Sequence, residues 1–365
     1  MQKMKVILDC DDVLLDCNEE VIRKINQEKG TSHTLMDITS WGVGIPDMSK
    51  YWDDPEFVRM QPPAAGAKEF VAKLSEMADV FICTAVPTHC ASARMASILE
   101  HFPEIEPGNI IFSKRKDLLS ADFMLDDAVH NLTGKDIKYP VLFRRPWNYA
   151  TTGMVAVSTF DEFITLFDLV RHKIIREAYG KKTVEGRLIA LVGPSGSGKT
   201  HYSRILLQDS HFLQVKSFTT RRRRYEGEDS YNFVSKAEFL SMKEHGDFFE
   251  TSVYQNNFYG TTKESIIYII RSGKIPLLIV DINGALALKN EFGEQAKIVF
   301  VKRDKAECIR SVLERNMDLD DTVNRISSID AEMRMEELCD FTLYNNRMPF
   351  NKEAFLSQLE IRGVQ

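Results

Sequence analysis

Two aspartates follow a short apolar segment near the start of the sequence. The segment 6–8 runs directly into Asp9, and Asp11 comes two residues later. If 6–8 is a β-strand, its period of two points both carboxylates the same way at the carboxyl end of the strand. Carboxylates so close repel each other unless one is protonated or a cation lies between them, and a hard cation such as Mg²⁺ suits such oxygen ligands. Alternatively, the acidic cluster caps the helix predicted at 18–26.

A glycine-rich segment in the second half has the spacing of a phosphate-binding loop (P-loop). Residues 193–200 fit the pattern GxxxxGK[ST], with an apolar run before them and a helix-like stretch after them. In that setting backbone N–H groups turn inward around phosphate, and the helix N-terminus adds a favourable field. We therefore predict that Lys199 reaches the β- and γ-phosphates of ATP and that Thr200 binds Mg²⁺. The other predicted ATP contacts in this loop are Gly193, Ser195, Gly196, Ser197 and Gly198.

Short apolar runs alternate with helix-like stretches along the chain. The runs lack apolar/polar alternation, which is typical of strands buried on both faces of a parallel sheet, and they lie at 6–8, 80–82, 123–125, 141–143, 189–192, 277–280 and 298–301. Helix-like stretches between them, such as 67–77 and 91–100, predict an α/β fold in both halves. Ligands of such folds bind at the carboxyl ends of the strands, where each of these motifs lies.

A helix-like stretch separates the two halves. Thr159 and Glu162 form a capping-box signature, and apolar residues at helical spacing follow from Phe160 to Ile174. Glycine and charge near Gly180 end the pattern, so we place the domain boundary near residue 181, giving domains 1–180 and 181–365. We expect the apolar stripe of this helix to pack into the core of the first domain rather than at a domain interface.

The composition excludes several classes of protein. The 365 residues are 44% hydrophobic and 27% charged, as in globular proteins, and the formal net charge is −6 with the acidic excess in residues 1–180. Partners such as nucleic acid or an acidic membrane favour basic proteins, so we expect neither. The six cysteines form no CxxC pair, and the sequence shows no secretory signal and no apolar run of membrane-spanning length. We expect a cytoplasmic protein, and the sequence leaves its oligomeric state open.

Four ordered segments of the first half resemble the haloacid dehalogenase (HAD) superfamily of phosphohydrolases. They are the aspartates at 9–12, the strand 80–84, the basic segment 113–116 and the strand 123–125 with the two aspartates that follow it. Together with residues 61–67, they are most similar to the 5′(3′)-deoxyribonucleotidases. The resemblance implies a HAD-like Rossmannoid domain with a small helical cap at about 17–63. It also implies hydrolysis of a (deoxy)nucleoside 5′-monophosphate, although another small phosphomonoester remains an alternative.

The resemblance implies a role for each matched residue. Asp9 would attack phosphorus to form an aspartyl-phosphate, and Asp11 would protonate the leaving oxygen and then activate water. Thr84 would hydrogen-bond the phosphoryl oxygens, and Lys116 would neutralise their charge. Lys114 is the alternative for this role, but the spacing of Lys116 to Asp126 matches the family. The implied Mg²⁺ ligands are Asp9, Asp11 and Asp126, with Asp127 close behind. Three aromatic residues of the cap would either stack on a nucleobase or belong to the core, namely Trp41, Trp52 and Phe57.

Six ordered motifs of the second half resemble guanylate kinase over about residues 186–360. They are the P-loop and the segments 217–224, 228–233, 248–250, 258–262 and 280–284. The resemblance implies a P-loop NTPase domain of the nucleoside monophosphate kinase type, which transfers phosphate from ATP to GMP or dGMP with Mg²⁺. Arg315 and Arg325 of a lid at 309–325 would stabilise the transferring phosphoryl group, and Asn345 would lie near the adenine.

The residue types of the second half suit guanine. Glu250 and Asp281 are acceptors for the N1 and N2 donors of guanine, and the hydroxyls of Ser217 and Thr261 can donate to its O6. Adenine would leave these carboxylates unpaired. The implied ligands of the GMP phosphate are Arg221, Arg224, Tyr231 and Tyr259, although a run of four arginines is also found in nucleic-acid patches and on solvated faces.

The second half also departs from the guanylate kinase pattern. Arg223 stands where the family has a proline, Ile279 where it has an aspartate, and the arginine expected near Ser311 is absent. The segment before Tyr231 is two residues shorter than usual, so the second phosphate arginine is defined only to within one residue. The leading hypothesis is a bifunctional nucleotide-metabolising enzyme. The alternative is a small-molecule phosphatase fused to a guanylate-kinase-like module that binds a protein without catalysis.

Overall fold

The computed structural model describes residues 3–42, 44–149, 151, 153–179, 186–223, 226–227, 231–254, 257–315, 317, 319–346 and 350–361, with the backbone alone at 172–179, 252–254 and 320–321. The chain forms two compact units, Met1–Thr151 with Val155–Phe167, and Thr152–Met154 with Asp168–Gln365. The division falls inside the helix Phe160–Tyr179. Residue 181, where we placed the domain boundary, lies outside the described residues, and that boundary stays a prediction.

The first unit is built on a six-stranded parallel sheet in the order β3-β2-β1-β4-β5-β6. Its strands are β1 Met4–Asp9, β2 Ala78–Thr84, β3 Ile110–Phe112, β4 Ala121–Asp126, β5 Ile137–Phe143 and β6 Val155–Val157. The helices are α1 Cys17–Lys29, α2 Ser49–Trp52, α3 Pro55–Met60, α4 Ala67–Met77, α5 Ala91–His101 and α6 Phe160–Tyr179. Every apolar run predicted as a strand in this half lies in one, which confirms the parallel α/β fold.

The first part of α6 packs into the core of the first unit. The rings of Phe163 and Phe167 lie 5.8 and 5.4 Å from the ring of Phe123 on β4. The N–H of Glu162 donates to Thr159 Oγ1, while its carboxylate accepts from the N–H of Ser158 rather than from that of Thr159. The predicted start of the helix is therefore confirmed, as is the predicted core packing for Phe163 and Phe167, whereas the side chain of Ile174 lies outside the described residues.

The predicted cap consists of α1, α2 and α3 with the loops that join them. Its apolar side chains form a buried cluster that includes Phe57, and Trp52 packs against that cluster. These two aromatic residues therefore belong to the core of the cap. Trp41, in contrast, is 53% exposed, and its ring meets the ring of His130 edge-on at a centroid distance of 5.3 Å.

The second unit contains two sheets. A five-stranded parallel sheet has the order β15-β14-β7-β13-β8, and a smaller sheet, which the sequence did not predict, has the order β10-β9-β12-β11. The strands are β7 Leu188–Val192, β8 Phe212–Gln214, β9 Phe218–Thr219, β10 Asn232–Phe233, β11 Phe248–Tyr254, β12 Asn257–Thr262, β13 Ile275–Ile279, β14 Ala296–Lys302 and β15 Phe341–Tyr344. The helices are α7 Lys199–Leu206, α8 Lys236–Glu244, α9 Lys263–Arg271, α10 Ile282–Phe292, α11 Lys305–Leu313, α12 Leu319–Ser327, α13 Ile329–Arg334 and α14 Lys352–Gln358.

The parallel sheet of the second unit is buried on both faces. Side chains of β7, β13 and β14 pack with those of α7 and α14 in one apolar cluster, to which Leu191, Leu206 and Phe355 belong. This burial accounts for the continuous apolar runs that predicted these strands. Across the described parts of the chain, no helix combines the length and the apolar character needed to cross a membrane.

Candidate active sites

Three adjacent strands of the first unit end in polar side chains. Asp9 is the last residue of β1, Thr84 the last of β2 and Asp126 the last of β4. These strands are neighbours in the order β2-β1-β4 and run parallel, so their carboxyl ends meet at one edge of the sheet. Lys116 reaches the same edge from the segment between β3 and β4. The structure thus brings together the first-half residues that we predicted to handle phosphate.

Lys116 is the buried cation of this site. Its Nζ lies 2.5 Å from Asp9 Oδ1 and 3.0 Å from Asp126 Oδ2, and the residue is only 2% exposed. Burial acts to lower the pKa of Lys116, but the two carboxylates outweigh it and raise that pKa above its ordinary value. Burial and the charge of Asp126 raise the pKa of Asp9 well above its usual range, against the opposing effect of Lys116. The site is therefore a buried, closely coupled group of charges.

Asp127 completes a cluster that fits a metal ion. Asp9, Asp126 and Asp127 each offer a carboxylate oxygen, and these three atoms lie within 4.8 Å of one another. Trp147 Nε1 donates to Asp127 Oδ2 at 2.7 Å, whereas Oδ1 of the same carboxylate is buried without a hydrogen-bond partner among the described residues. A buried acceptor oxygen with two neighbouring carboxylates suits a hard divalent cation. This cluster contains Asp127 where we expected the carboxylate of Asp11.

The carboxylate of Asp11 has other partners. Thr84 Oγ1 donates to Asp11 Oδ2 at 2.9 Å, and Arg94 Nη2 donates to Asp11 Oδ1 at 2.6 Å. Burial acts to raise the pKa of Asp11, but the charges of Arg94 and Lys116 hold it below its ordinary value. The hydroxyl of Thr84 is thus directed at Asp11, the residue that we predicted as the acid and base.

Arg94 is a site residue that we did not predict. It lies in α5, and the residues four positions to either side, Ile98 of the same helix and Cys90 at its N-cap, are both buried and apolar. An arginine at an apolar position of an amphipathic pattern is the sequence signal that could have identified it. A long cation at such a position needs a buried acceptor. No sequence pattern indicates that this acceptor is Asp11.

Asp12 confirms the alternative interpretation of the acidic cluster for one of its members. Its two carboxylate oxygens accept hydrogen bonds from the N–H and the side-chain amide of Asn18, in the first turn of α1, at 2.8 and 2.7 Å. Burial raises the pKa of Asp12 to about 7. Within the acidic cluster, Asp12 therefore accepts a hydrogen bond from a backbone N–H in the first turn of α1, whereas Asp9 and Asp11 lie at the candidate site.

The P-loop of the second unit connects β7 to α7. Gly196 has φ 82° there, and a Cβ on this residue would collide with the carbonyl oxygen of Cys308. Lys199 Nζ donates to the carbonyls of Gly193 and Pro194 at 2.5 and 3.0 Å, so the ammonium folds over the loop itself. Burial lowers the pKa of Lys199 to about 8. Thr200, the second residue of α7, is exposed.

Two later segments contact the P-loop from outside. Asn345 Nδ2 donates to the carbonyl of Ser197 at 2.8 Å, at the end of β15. Arg325 Nη1 donates to Ser195 Oγ at 3.2 Å from α12, so one predicted lid arginine is at the loop. The other, Arg315, follows α11 and is exposed. The residues that we predicted around ATP are thus close in space at 193–200, 325 and 345.

Arg303 lies where the sequence lacks the expected lid arginine. Its Nη1 donates to the carbonyl of Gly196 at 3.0 Å and to Ser311 Oγ at 2.8 Å. The guanidinium of Arg310, which adjoins Ser311 in sequence, pairs with Glu307. Arg303, which follows β14, therefore connects the P-loop to α11. Because Arg303 and Ser311 are eight residues apart, the sequence alone did not indicate this contact.

Three side chains that we predicted around guanine form a hydrogen-bonded chain. Thr261 Oγ1 donates to Glu250 Oε1 at 3.0 Å, so the 2.8 Å contact between Ser217 and Thr261 must be a donation from Ser217. Burial, together with the nearby charge of Asp281, raises the pKa of Glu250 to about 7. Asp281 itself is the N-cap of α10, where its Oδ1 accepts from the N–H of Gly284 at 2.9 Å. The site therefore presents acceptor oxygens, as guanine requires.

The predicted phosphate ligands of GMP are described in part. The guanidinium of Arg221 lies 5.5 Å from the ring of Tyr231, and the rings of Tyr231 and Tyr259 meet at 5.8 Å. Arg224 lies outside the described residues, so its predicted role stays a prediction. Arg223 stacks on Phe233 at 4.5 Å, where we expected a proline. One arginine and two tyrosines are thus adjacent beside the smaller sheet.

Comparison with known proteins identifies the second unit. The guanylate kinase family profile matches residues 185–357. A guanylate kinase of Chlorobium chlorochromatii is 32% identical over 168 residues, which is 45% of this chain and 88% of that protein. The C-terminal half of the chain belongs to the guanylate kinase family. Its domain has the P-loop at the end of a strand of the parallel sheet and the acceptor carboxylate of Glu250 on the smaller sheet.

The N-terminal half is also assigned to a family. The profile of the 5′ nucleotidase, deoxy (pyrimidine), cytosolic type C family (NT5C) matches residues 3–174, so this half is an NT5C domain with a HAD-like fold. Among solved structures, a guanylate kinase from Anaplasma phagocytophilum covers 48% of this chain and 84% of its own, with 23% identity and a TM-score of 0.36. The HAD-hydrolase YfnB from Bacillus subtilis, solved with magnesium bound, covers 46% and 100%, with 13% identity and a TM-score of 0.30.

Proposed function

We propose that the protein carries out two separate phosphate reactions. The guanylate kinase domain phosphorylates GMP or dGMP with ATP, and the NT5C domain hydrolyses a (deoxy)nucleoside 5′-monophosphate through an aspartyl-phosphate. One observation supports both activities. In each parallel sheet, the groups that we predict to bind phosphate lie together where the strands end, with a lysine among them that is buried in the first unit (Lys116) and half-buried in the second (Lys199). The rest of this proposal follows from the chemistry of those groups.

The hydrogen-bonded chain beside the smaller sheet supports GMP as the kinase substrate. Glu250 accepts a hydrogen bond from Thr261 and has further acceptor capacity for the N1 and N2 donors of guanine. Adenine has no donor at N1, so binding it would leave a buried carboxylate without compensation, at a large cost. Arg221, Tyr231 and Tyr259 would hold the phosphate of GMP, with Arg224 as a proposed fourth ligand. Asp281 would accept a second hydrogen bond from guanine.

The P-loop supports ATP as the phosphoryl donor. Its backbone N–H groups and Lys199 would bind the phosphates, while Arg315 and Arg325 would neutralise charge on the phosphoryl group in transfer. Asn345 would lie near the adenine, beside a cavity of about 450 Å³ lined by Lys302, Arg303, Tyr344 and Asn346, among others. Thr200 would be the protein ligand of Mg²⁺, which neutralises phosphate charge when bound.

The NT5C site supports a two-step hydrolysis. Asp9 would bond to phosphorus and displace the ester oxygen, which takes a proton from the protonated form of Asp11. The negative charge of a bound phosphate favours that form, against the effect of Arg94 and Lys116. Water would then attack the aspartyl-phosphate and give its proton back to Asp11, which releases phosphate and restores Asp9. Lys116 would balance negative charge at the phosphoryl group. Asp9, Asp126 and Asp127 would hold Mg²⁺, which supplies further neutralisation when bound, and Asp11 enters this proposal as acid and base rather than as a ligand.

The exposed ring of Trp41 supports a nucleobase on the substrate. The ring of Trp41 in the cap meets the ring of His130, which follows Asp126 by four residues. A planar base can stack on such rings. A nucleoside monophosphate is therefore preferred over a sugar phosphate, which has no planar group. The base is proposed to differ from guanine, because the two domains would otherwise oppose each other.

The test is a substrate screen on the full-length chain with Mg²⁺. We expect phosphate release from a pyrimidine nucleotide such as dUMP or dTMP, ADP formation from ATP and GMP, and ATP-dependent thermal stabilisation that Lys199→Ala abolishes. Release of phosphate from GMP as fast as from dUMP would contradict the separation of substrates. Absence of ATP-dependent stabilisation in the unaltered chain would favour the alternative of a phosphatase fused to a non-catalytic binding module.

A further inference from the structure

Arg94 is a charged side chain in the interior of the NT5C domain. None of its surface is exposed to solvent. A buried guanidinium is unfavourable unless acceptors compensate its charge. Nη2 of Arg94 donates to Asp11 Oδ1 at 2.6 Å and to Gln61 Oε1 at 2.7 Å. The cation is therefore committed to the residue that we propose as acid and base, and not to the metal cluster.

The two oxygens of Asp11 are held by different donors. Arg94 donates to Oδ1 and Thr84 Oγ1 donates to Oδ2, so together they fix the plane of the carboxylate. The side chain of Asp11 keeps 25% of its surface exposed, whereas that of Arg94 is covered. Asp11 can therefore meet a substrate or a water molecule, and Arg94 can act on the reaction through Asp11.

Gln61 binds the same nitrogen of Arg94 that Asp11 binds. It is fully buried at the residue that follows α3, and its Oε1 accepts from Arg94 and from the thiol of Cys17 at 3.1 Å. One nitrogen of the guanidinium is thus shared between a carboxylate and an amide oxygen. A side chain that donates to two acceptors has less freedom to rotate. The hydrogen-bonded chain Gln61–Arg94–Asp11 therefore restricts the orientation of the Asp11 carboxylate.

We propose that Arg94 is a positioning residue of the phosphatase reaction, which holds Asp11 where it exchanges protons with the leaving oxygen and with water. The inference rests on the proposed aspartyl-phosphate mechanism. Both steps need Asp11 in place when the leaving group is an alkoxide. A leaving group that departs as a stable anion, such as 4-nitrophenolate, needs no proton in the first step but still leaves an aspartyl-phosphate whose hydrolysis requires Asp11 as base.

The experiment compares dUMP with 4-nitrophenyl phosphate on the full-length chain with Mg²⁺. For Arg94→Gln we expect turnover of both substrates to fall by about 10²-fold, since a displacement of about 1 Å has that effect. Rapid mixing with 4-nitrophenyl phosphate should nevertheless release one equivalent of 4-nitrophenolate at close to the rate of the unaltered chain. That burst separates loss of positioning from general damage to the site, which would slow the burst as well.

Two further variants keep the test decisive. Gln61→Met keeps the Arg94–Asp11 pair but removes the amide acceptor, so it should give the same burst with a decrease of about tenfold in turnover, even if Arg94→Gln does not fold. The control is Arg59→Gln, which removes an ion pair between Arg59 of α3 and Glu100 of α5 at the surface and should leave both rates unchanged.

The outcomes distinguish this inference from the proposed function. If the unaltered chain releases no phosphate from either substrate, the phosphatase function is wrong and the inference fails with it. If the unaltered chain turns over both substrates and Gln61→Met and Arg94→Gln do so equally well, the inference alone is overturned. It is also overturned if the burst slows in proportion to the turnover, since the variants would then damage the nucleophile.

Discussion

The two domains place the lysine of each predicted phosphate site in opposite electrostatic surroundings, with Lys116 buried and Lys199 half-buried. Lys116 lies between the carboxylates of Asp9 and Asp126, which raise its pKa despite burial. Lys199 donates to two carbonyl groups of the P-loop, and burial lowers its pKa to about 8. One phosphate site is thus built from charged side chains at strand ends, and the other mainly from backbone groups shaped by glycine.

This difference determines which substitutions each site tolerates. A site made of side chains fails when a charge is removed with little change in shape, whereas a site made of backbone fails when a Cβ is added without any change in charge. Because the two sites belong to different sheets, each substitution should affect one activity and leave the other as an internal control. The predictions below use that independence.

Asp9→Asn should have the largest effect. The amide is close in size to the carboxylate but is no nucleophile, so we expect phosphate release to fall by at least about 10³-fold while kinase activity stays unchanged. Steady-state assays of both activities on one preparation measure this. If the kinase activity fell together with phosphate release, the independence of the two sites would be wrong.

Gly196→Ala should disrupt the P-loop by adding a Cβ, without any change in charge. The added Cβ would meet the carbonyl oxygen of Cys308, at a φ of 82° that alanine rarely adopts. The displaced N–H donors should cost about 10²-fold in kcat/KM of the kinase, with phosphate release unchanged. Gly246→Ala is the matched control, because Gly246 has φ 74° and open space around its Cβ position. Equal losses in the two variants would trace the effect to backbone strain alone.

The sequence predicted the scaffold of each site well for a physical reason. Strands such as β1, β4 and β7 are buried on both faces, so each is a continuous apolar run that ends where polar residues begin. The positions of Asp9, Asp126 and the P-loop follow from that boundary. The smaller sheet was missed because β9 and β10 contain two residues each, too few for any periodicity.

The sequence could not predict which partner each side chain of the site contacts. Whether Asp11 or Asp127 joins Asp9 and Asp126 depends on which partners the three-dimensional fold brings close. Asp11 meets Arg94, which is 83 residues away in the chain, and Asp127 meets Trp147, which is 20 residues away. Spacing along the sequence carries no record of such contacts. Asp9 and Asp126 therefore lie in the carboxylate cluster, whereas the carboxylate of Asp11 is hydrogen-bonded to Thr84 and Arg94, and the set of metal ligands stays a prediction.

Glu250 should make the GMP affinity of the kinase domain decrease at acidic pH. Because its pKa is about 7, Glu250 is increasingly protonated below that pH, and a protonated carboxyl has lost acceptor capacity for guanine. GMP affinity should therefore be full above pH 7.5 and fall by up to about tenfold per pH unit below 7. Calorimetric titration with GMP at pH 5.5 to 8 measures this.

Glu250→Gln is the control for that titration. The amide does not titrate, so its residual pH dependence reports the phosphate of GMP alone. We expect this variant to bind GMP about 10–100-fold more weakly at pH 8, the range that the loss of a charged hydrogen bond produces. A pH dependence identical to that of the unaltered chain would show that Glu250 is not the titrating group.

Lys116 and Lys199 should differ in their protonation at alkaline pH. The expected change in ATP affinity is the smallest of the four predicted effects. With a pKa of about 8, Lys199 loses its charge as the pH rises above that value, so ATP affinity should fall by up to about tenfold between pH 8 and 9. Lys116 keeps its proton over the same range because Asp9 and Asp126 raise its pKa, so phosphate release should show no decline from this residue. Lys199→Arg, whose guanidinium stays charged, should remove the alkaline decline in ATP affinity. If ATP affinity still declined at alkaline pH in this variant, another group would be responsible for the decline. The proposed difference in pKa between Lys199 and Lys116 would then have no support from this measurement.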